Sequence, residues 1–458
     1  MCGVFGIRST ERDVARLTYF GLFALQHRGQ ESAGIAVSDG RRLTALRELG
    51  LVTQVFDEAK LRGLRGQLAI GHTRYSTTGS TQWANAQPLV QQGRARTIAL
   101  GHNGNLTNAG TLRGELRERD VRLQSTSDTE VIGALVANDT APLEEAVVQT
   151  MAKLEGAYSV TAISEGKLLA FRDAHGFRPL CLGRLGEDWV VASETCALDL
   201  VGADLERELE LGELVVIDEN GCRTLHALER TAGALCLFEF FYLARPDSRL
   251  AGVEVHSARV RMGERLAAEA PVDADLVMPI PDSGTPAAIG FSRATGIPFS
   301  EGLVKNRYVG RTFIQPDQAL REQGIRLKYN PLADVSGRRL VVVDDSIVRG
   351  NTTRQLVAML FEAGAVEVHV RISSPPVIGQ CFYCIDLADE GELVASRASM
   401  DEVRGLIGAT SLAHLSLEGL IESTQRPASS LCAACLTGKY PTPIPAEAAK
   451  HRFEPSPA

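Results

Sequence analysis

The stretch LVVVDDSIVRGNTT, residues 340–353, combines an apolar run, two adjacent carboxylates, a polar loop and the start of a helical segment. Residues 340–343 show no polar alternation, which is typical of a strand covered on both faces in a parallel sheet. LVMPIP (276–281) has the same character, and VEVHVRIS (366–373) is a further strand after an intervening helical pattern. This βαβ order predicts a doubly wound parallel-sheet α/β domain, which we place over residues 233–443.

The first half of the chain has a different order, in which strands come first, then helices, then hairpins. MCGVFGI (1–7) is a short apolar strand, and ARLTYFGLFALQHRG (15–29) has helical spacing that ends at a glycine. Later segments such as YSVTAISEGKLLAFRD pair strands around glycine-containing turns. The pattern predicts a layered α+β domain over residues 2–232. Residues 444–458 are rich in Pro and Ala and are expected to form a flexible tail.

Composition and charge exclude several classes of protein. The chain has 458 residues, 44% of them hydrophobic, and a formal net charge of −8 from 48 basic and 56 acidic side chains. A protein that neutralises nucleic-acid phosphates is normally basic, so we expect no nucleic-acid partner. No apolar stretch has the ~18 residues of a membrane helix, and the first residues lack the pattern of a signal peptide. We therefore expect a cytoplasmic protein with no membrane partner.

Cys2 is the first candidate catalytic residue. Removal of Met1 would leave it with a thiol and a free α-amine, whose pKa near 8 suits a general base close to neutrality. The two groups together form a nucleophile and base for acyl transfer. A cysteine that is simply buried at position 2 is the alternative.

Three further motifs supply groups that can bind an amino acid. Arg74, in HTRYSTTG, can hold a carboxylate, and Asp128, in SDTE, can hold an α-ammonium group. Asn103 and Gly104, in GHNGNL, can donate to a developing oxyanion. Taken singly, the Asn-Gly pair is equally typical of a turn, and Asp128 of a helix N-cap.

These motifs resemble a known family of domains. MCGVFGI, LQHRGQESAGIA, GHTRYSTTG, GHNGNLTN and SDTEV resemble, in this order, the glutaminase domain of the N-terminal-nucleophile amidotransferases. The resemblance implies a four-layer αββα sandwich. It also implies that Cys2 attacks the side-chain amide of glutamine, that a thioester forms as ammonia leaves, and that water then releases glutamate.

Two loops in the second half are candidate phosphate sites. After residues 340–343, Asp344 and Asp345 suit ribose hydroxyls or Mg²⁺, and the helix start with its hydroxyl side chains suits a phosphate. In PIPDSGTPAAIG (279–290), the backbone of the loop can cradle pyrophosphate; the residues concerned are Asp282, Ser283, Gly284 and Thr285. VKNRYVGRTFIQP (304–316) is a candidate lid with the cations Lys305, Arg307 and Arg311. An acidic helix cap, a Pro-rich turn and a solvated basic loop are the respective alternatives.

The carboxylate-bearing loop resembles the binding motif of type I phosphoribosyltransferases. Joined to the glutaminase, it resembles the glutamine phosphoribosylpyrophosphate amidotransferase family up to about residue 443. The family transfers ammonia from glutamine to 5-phosphoribosyl 1-pyrophosphate, which gives 5-phosphoribosylamine, glutamate and pyrophosphate in the first committed step of purine synthesis. Purine nucleotide inhibitors, a homotetramer and an enclosed path for ammonia between the two sites are also implied.

The resemblance assigns roles around the second site. Asp344 and Asp345 would hold the ribose hydroxyls, and residues 282–285 with Lys305 would hold the pyrophosphate. The loop after the carboxylates would bind the 5′-phosphate through Ser346, Arg349, Gly350, Thr352 and Thr353. Mg²⁺ would be bound by Ser283, Asp344 and Asp345.

Two CxxC pairs, CFYC (381–384) and CAAC (432–435), form a second constellation among nine cysteines. Their spacing alone predicts a tetrahedral Zn²⁺ site. The family resemblance instead implies a [4Fe–4S] cluster held by Cys236, Cys381, Cys432 and Cys435. Cys384 stands where the family pattern has Gly, so five thiols compete for four places, and we favour Cys236 because its surroundings match the family. Ordinary buried thiols are the third possibility.

Two other functions remain open from the sequence. The glutaminase could serve a different acceptor, as in sugar-phosphate aminotransferring synthases, although these lack the loop of residues 344–353. The chain could also be a metal-binding regulatory protein with degenerate catalytic halves, although each predicted catalytic group is present.

Overall fold

The computed structural model describes residues 2–76, 79–306, 308, 325–383, 385 and 390–445. The first half contains thirteen described strands, which are β1 (Gly3–Arg8), β2 (Ser32–Ser38), β3 (Leu43–Leu49), β4 (Leu68–Arg74), β5 (Leu89–Gln92), β6 (Thr97–Leu106), β7 (Gly156–Ser164), β8 (Lys167–Arg172), β9 (Cys181–Leu185), β10 (Asp188–Ala192), β11 (Asp204–Glu208), β12 (Glu213–Asp218) and β13 (Gly221–His226). Its helices are α1 (Val14–Ala24), α2 (Val52–Val55), α3 (Glu58–Gly63), α4 (Ala109–Glu118), α5 (Thr129–Asn138), α6 (Leu143–Met151) and α7 (Thr195–Val201).

These elements form four layers. One sheet has the order β11-β9-β10-β1-β4-β2-β3, and the other has the order β13-β12-β8-β7-β6-β5. Side chains from both sheets, such as Ile70 and Val215, share one apolar core between them. A second core packs α1 and α7 on the first sheet, and a third packs α4, α5 and α6 on the other. The expected αββα sandwich is confirmed.

Several short elements of this half were not predicted. The strands β3, β5 and β11 and the helices α2, α3 and α7 have four to seven residues each. The edge strand β11, with the sequence DLERE, is largely polar and exposed. Such segments carry little apolar periodicity, because they are held by pairing and packing rather than by burial of a full face.

The second half contains ten described strands, which are β14 (Leu235–Cys236), β15 (Arg249–Leu250), β16 (Val253–Glu254), β17 (Leu276–Pro279), β18 (Leu303–Lys305), β19 (Tyr329–Pro331), β20 (Arg339–Asp344), β21 (Glu367–Ile372), β22 (Ser411–His414) and β23 (Leu431–Cys432). Its described α-helices are α8 (Val255–Glu269), α9 (Thr285–Thr295), α10 (Asn351–Glu362), α11 (Val394–Arg397), α12 (Met400–Ile407), α13 (Leu417–Thr424) and α14 (Ala434–Thr437).

The main sheet of this half is parallel throughout, in the order β17-β20-β21-β22. Apolar side chains of α8 and α9 pack on one face, and those of α10 and α12 pack on the other. The doubly wound architecture is therefore confirmed. Both predicted phosphate loops follow strands of this sheet, since Asp282 comes after β17 and Asp345 after β20, so the carboxyl ends of neighbouring strands carry them.

The two halves are joined by direct contacts. The predicted boundary falls between β13 and β14, and β14 pairs in parallel with β23 from the end of the described chain. The backbone of Ala234 donates to His175 O at 2.7 Å, and that of Cys236 to Phe177 O at 3.2 Å. The ring of Tyr383 stacks on Phe177 with centroids 4.2 Å apart.

Nearly all of the expected tail, 446–458, lies outside the described residues. Among the helices that the structure describes, none combines the length and apolarity needed to cross a membrane.

Candidate functional site

Cys2 lies directly before β1, a central strand of its sheet between β10 and β4. The residue is buried, with 5% of its surface exposed. Its backbone N–H donates to Oδ1 of Asn103 at 3.2 Å, and its thiol donates to the carbonyl of Tyr75 at 3.5 Å. The predicted nucleophile and the predicted oxyanion donor are therefore in contact, although 101 positions separate them in sequence.

Asn103 and Gly104 lie within β6, whose partner is β7, and do not form a loop after it. The strand runs through the whole GHNGNL motif and ends with it, because the ladder with β7 continues to Leu106. A side chain at position 104 would place Cβ 2.0 Å from the carbonyl oxygen of Ala157, so only glycine fits this register. The Asn-Gly pair serves the sheet here, not a turn.

The oxygen of the Asn103 side-chain amide accepts hydrogen bonds, whereas its NH₂ group donates none to the described residues. Its side chain is completely buried, and Oδ1 accepts two hydrogen bonds. Its Nδ2 group has no hydrogen-bond partner among the described residues. A buried donor without a partner carries a desolvation cost of about 1–3 kcal/mol. Such a donor is what an oxyanion site requires, since a developing negative charge would supply the missing partner.

Cys2 opens onto a narrow cleft that Arg74, Gly104 and Asp128 also line. The structure thus brings these four predicted residues to one place. The guanidinium of Arg74 contacts Glu31 at 3.4 Å and the carbonyl of Ser80 at 3.1 Å. A carboxylate bound at this guanidinium would therefore adjoin Glu31.

Asp128 precedes α5, but its side chain does not cap that helix. Its Oδ2 instead accepts from the backbone N–H of Leu106 at 2.9 Å, which connects it to the end of β6. The carboxylate also lies 3.7 Å from Nδ1 of His102. The helix-cap alternative is therefore not supported by the geometry.

Five other residues line the cleft that sequence reasoning did not select; these are Tyr75, Gln87, His102, Ser127 and Thr129. Gln87 is the most informative, because its Oε1 accepts from His102 N at 2.8 Å and its Nε2 donates to Thr129 at 2.9 Å. His102 could have been found from its place beside Asn103. No local sequence pattern indicates a role for Gln87, because it lies in the turn before β5. Only the tertiary fold brings its side chain to the cleft.

His72 lies behind the cleft on β4 and is completely buried. Burial lowers the pKa of its imidazole to about 3, against a smaller opposing effect of the hydrogen bond to His102. The ring is therefore neutral, and its Nε2–H donates to the carbonyl of His102 at 3.0 Å. His72 contributes structure to the site and no charge.

The second predicted site begins at the end of β20, where Asp344 and Asp345 are adjacent. Burial raises the pKa of Asp344, and the neighbouring charge of Asp345 adds to the shift. Burial likewise raises the pKa of Asp345, while hydrogen bonds from Ser283 and Ser346 oppose it. The contact with Ser283 brings the two predicted loops together. This pair of carboxylates is a site at which a cation would be strongly favoured.

The loop of residues 282–285 lies against the same strand end. Ile280 N donates to Val343 O at 2.8 Å, and a Cβ at Gly284 would lie 2.3 Å from that oxygen. Glycine is therefore required for the close approach of this loop to β20. Asp282 is paired with Lys305 at 2.5 Å, and Thr285 begins α9.

The loop after the carboxylates leads into α10. Gly350 has φ +77° and stands at the N-cap of that helix, where backbone N–H groups point outward. Ser346 donates to Asp345 at 2.5 Å, and Thr352 is exposed on the first turn. Nη2 of Arg349 lies 2.7 Å from a carboxylate oxygen of Glu392. Of the predicted lid, Lys305 is described, whereas Arg307 and Arg311 lie outside the described residues.

The predicted cysteines converge where β14 meets β23. Cys236 and Cys432 are directly opposite each other in that parallel pair. Burial raises the pKa of the Cys435 thiol, and the charges of Cys381, Cys236 and Cys432 raise it further. Within the described ranges, no three His, Cys, Asp or Glu side chains gather closely enough to hold one metal ion. Cys384 lies outside the described residues.

A profile of glutamine amidotransferase domains matches residues 72–200 of the chain. Curated relatives match far more of it. An amidophosphoribosyltransferase of Mycobacterium tuberculosis (strain ATCC 25618 / H37Rv) is 53% identical, covering 98% of this chain and 88% of its own. The amidophosphoribosyltransferase of Bacillus subtilis (strain 168) is 47% identical, covering 97% and 94%.

Solved structures agree with these relatives. A glutamine phosphoribosylpyrophosphate amidotransferase from B. subtilis, in complex with ADP and GMP, superimposes with a TM-score of 0.93 at 46% identity. The match covers 99% of this chain and 100% of that one. A structure of the allosteric regulatory enzyme of purine biosynthesis gives the same TM-score and identity, with 98% of each chain covered.

These matches extend over both halves, so a glutaminase with a different acceptor domain and a degenerate regulatory protein are not favoured. The fold is that of an N-terminal-nucleophile glutaminase followed by a phosphoribosyltransferase. With curated relatives at 45–53% identity over nearly its whole length, the chain belongs to the amidophosphoribosyltransferase family.

Proposed function

We propose a specific division of labour for the activity of this family, in which glutamine supplies ammonia to 5-phosphoribosyl 1-pyrophosphate. The observation that carries it is the contact of Cys2 N with Asn103 Oδ1, beside a buried Asn103 Nδ2 that has no partner among the described residues. A nucleophile and an unsatisfied donor in one cleft suit acyl transfer.

In the first half, Met1 is removed and the α-amine of Cys2 takes the proton of its own thiol. The Sγ atom attacks the side-chain amide carbon of glutamine, and Nδ2 of Asn103 and the N–H of Gly104 hold the oxyanion. Arg74 binds the α-carboxylate and Asp128 the α-ammonium group. Ammonia leaves with the proton, and water then cleaves the thioester to glutamate.

In the second half, ammonia displaces pyrophosphate at the anomeric carbon, so no side-chain nucleophile is needed. Asp344 and Asp345 hold the ribose hydroxyls, and residues 346–353, including Ser346, Arg349, Gly350 and Thr352, bind the 5′-phosphate. Asp282, Ser283, Gly284, Thr285 and Lys305 bind the pyrophosphate. The protein acts mainly by positioning and by charge stabilisation. An enclosed path between the two sites, as the family resemblance implies, would carry the ammonia.

A Mg²⁺ ion fits the second site. The carboxylates of Asp344 and Asp345 are adjacent, and burial opposes their ionisation, which a divalent cation would relieve. Ser283 hydrogen-bonds Asp345 and is the third candidate ligand. When bound, Mg²⁺ would neutralise charge on the pyrophosphate leaving group.

Four thiols fit a thiolate-bound cluster. Burial raises the pKa of the Cys432 and Cys435 thiols, and the neighbouring Cys236 and Cys381 add to both shifts, whereas bound iron would favour the thiolate form. A [4Fe–4S] cube is wider than a single ion, so its ligands need not meet at one point. We therefore favour the cluster, and Zn²⁺ with Cys384 is the alternative. The bound cluster would have a structural role.

Further parts of the proposal concern regulation and assembly. The B. subtilis neighbour binds ADP and GMP, which supports purine nucleotides as inhibitors of this chain. A homotetramer and a cytoplasmic location remain predictions from the family resemblance and the sequence.

The deciding experiment replaces the nucleophile. Cys2→Ala should abolish glutamine-dependent formation of phosphoribosylamine, because no thioester can form, and should retain the ammonia-dependent reaction at the second site. Both rates are measured on one preparation, with pyrophosphate release as the signal. Equal loss of the two activities would contradict two separate sites, and retained use of glutamine would contradict Cys2 as the nucleophile.

A further inference from the structure

A network of buried charges lies beside the glutaminase centre and is not explained by substrate binding. Arg28, Arg178, Glu194 and Glu239 are each at most 1% exposed. Arg28 donates to Glu239 at 2.6 Å and also contacts Glu194, and Nη1 of Arg178 lies 2.8 Å from Oε1 of Glu239. Buried ion pairs rarely add net stability over apolar packing, so a role in geometry has to be considered.

One end of this network reaches the candidate oxyanion donor. Nε of Arg178 donates to Oδ1 of Asn103 at 3.3 Å, and the N–H of Cys2 donates to the same oxygen at 3.2 Å. Two donors on one atom determine which end of the amide faces them, because a rotated amide would place its NH₂ group against both. The orientation of Nδ2 toward the substrate therefore depends in part on Arg178.

We propose that Arg178 is a positioning residue of the glutaminase reaction, which orients the Asn103 amide and is itself held by Glu239. This inference rests on the proposed role of Cys2 and Asn103 and adds a residue to it. Arg178 does not touch the reacting atoms; it acts through Asn103.

The counterion of Arg178 comes from beyond the two glutaminase sheets. Glu239 begins the π-helical turn Glu239–Leu243, after the last strand of the first half. The hydrogen bonds from Ala234 and Cys236 to residues 175 and 177 hold this segment beside Arg178. Arg259 on α8 fixes the turn from the other side by donating to Phe240 O at 2.7 Å and Ala244 O at 2.9 Å. The oxyanion donor is thus completed by the second half of the chain.

The substitution Arg178→Lys separates the positive charge of the side chain from its Nε–H hydrogen-bond donor. Lysine keeps the positive charge that Glu239 requires, but it has a methylene group where arginine has Nε–H. The variant therefore loses the hydrogen bond to Asn103 and retains the buried charge pair. A control is Arg96→Lys, since Arg96 also bonds backbone carbonyls from a largely buried position in the first half and is not part of the cleft.

We expect Arg178→Lys to lower kcat for glutamine about 10- to 100-fold with KM for glutamine within about twofold, below the ~10²–10³-fold cost of losing an oxyanion donor outright. Ammonia-dependent synthesis should continue, and Arg96→Lys should keep the kcat of the unaltered enzyme. A kcat change under about threefold, or a loss carried by KM, would overturn the proposal.

A double-variant cycle tests whether Arg178 acts through Asn103. Adding Arg178→Lys to Asn103→Ala should cause little further loss, whereas multiplied losses would show independent roles and overturn the proposal. If Arg178→Lys does not fold, Glu239→Gln provides a second test, because it removes the carboxylate that holds Arg178. This variant should lower kcat for glutamine with KM unchanged. An unchanged kcat would overturn the proposal.

The outcomes also separate this inference from the assignment on which it rests. A Cys2→Ala enzyme that still uses glutamine would remove the proposed function. A Cys2→Ala enzyme that has lost this activity, together with an unaffected Arg178→Lys, would remove only the role of Arg178.

Discussion

The side-chain amide of Asn105 donates a 2.8 Å hydrogen bond to the backbone carbonyl of Phe382. Asn105 lies on β6, two residues after Asn103, and Phe382 directly follows Cys381. The stacking of Tyr383 on Phe177 reinforces the same junction. The segment that carries a candidate cluster ligand is therefore bonded to the strand that carries the candidate oxyanion donor.

This junction leads to a prediction about the metal. Protein purified without oxygen should contain about four irons and matching sulfide per chain, with broad visible absorption. Removal of the cluster should lower the thermal midpoint and the glutamine-dependent rate together, because β6 would lose its hydrogen bond to the segment that holds Cys381. Elemental analysis with a visible spectrum decides the first point, and one zinc without iron would contradict the cluster.

A matched pair of variants identifies the fourth ligand. Cys236→Ser should lose iron, since Cys236 faces Cys432 across the β14–β23 pair. Cys384→Ser should retain it. The reverse result would assign the site to Cys384 and favour the spacing argument for zinc.

A second prediction concerns the backbone at Gly104. Gly104→Ala should remove most glutamine-dependent activity and lower stability, because the new Cβ would meet the carbonyl oxygen of Ala157 at 2.0 Å, a backbone atom that cannot move without opening the sheet. Gly101→Ala on the same strand is the control, since its nearest contact is an ordinary 3.4 Å to His72. The glutaminase rates and thermal midpoints of both variants are measured. Equal losses in the two variants would contradict the claim that position 104 admits only glycine.

The sequence predicts much of this fold because its main elements carry strong patterns. The apolar run before Asp344 is continuous because β20 is covered on both faces. β11 and β22 were missed for the opposite reason, as they are short and only partly buried. The sequence also predicts that Cys2, Arg74, Gly104 and Asp128 belong together, and the structure places all four around one cleft.

Other parts of the site depend on distant contacts that no local pattern contains. Gln87 reaches His102 through a turn before β5, and Arg178 meets Glu239 across 61 positions of sequence. The turn alternative for Asn103 and Gly104 fails for a physical reason as well. An Asn-Gly pair favours a turn locally, but the ladder with β7 outweighs that preference, since it satisfies the backbone on both sides of Gly104.

The carboxylate pair gives a third prediction. Asp344→Asn with Asp345→Asn should raise KM for phosphoribosyl pyrophosphate at least tenfold, because the ribose hydroxyls and Mg²⁺ lose their anionic partners. Glutamine hydrolysis at Cys2, measured without the second substrate, should persist at its unstimulated rate. Asp401→Asn is the control, since this carboxylate is exposed on the first turn of α12 and belongs to neither of the two phosphate loops. An unchanged KM in the double variant would reject the assignment of this loop.

The last prediction follows from the buried imidazole of His72. Its pKa is about 3 in the folded chain and about 6.5 when unfolded. The unfolded state therefore binds a proton between these values while the folded state does not, so folding stability falls as the pH drops below about 6.5. At pH 5 the difference amounts to about 2 kcal/mol, because 1.5 pH units at 1.36 kcal/mol each separate that pH from the unfolded pKa.

His72→Gln should remove this acid sensitivity, since glutamine does not titrate and its amide can still donate to the carbonyl of His102. The thermal midpoint of the variant should decline less between pH 7.5 and pH 5 than that of the unaltered protein, by a few degrees. His226→Gln, at an exposed position on β13, should leave the acid response unchanged. An identical decline in all three proteins would mean that His72 accepts a proton within the folded sheet, and hence that water reaches the space between β4 and β6.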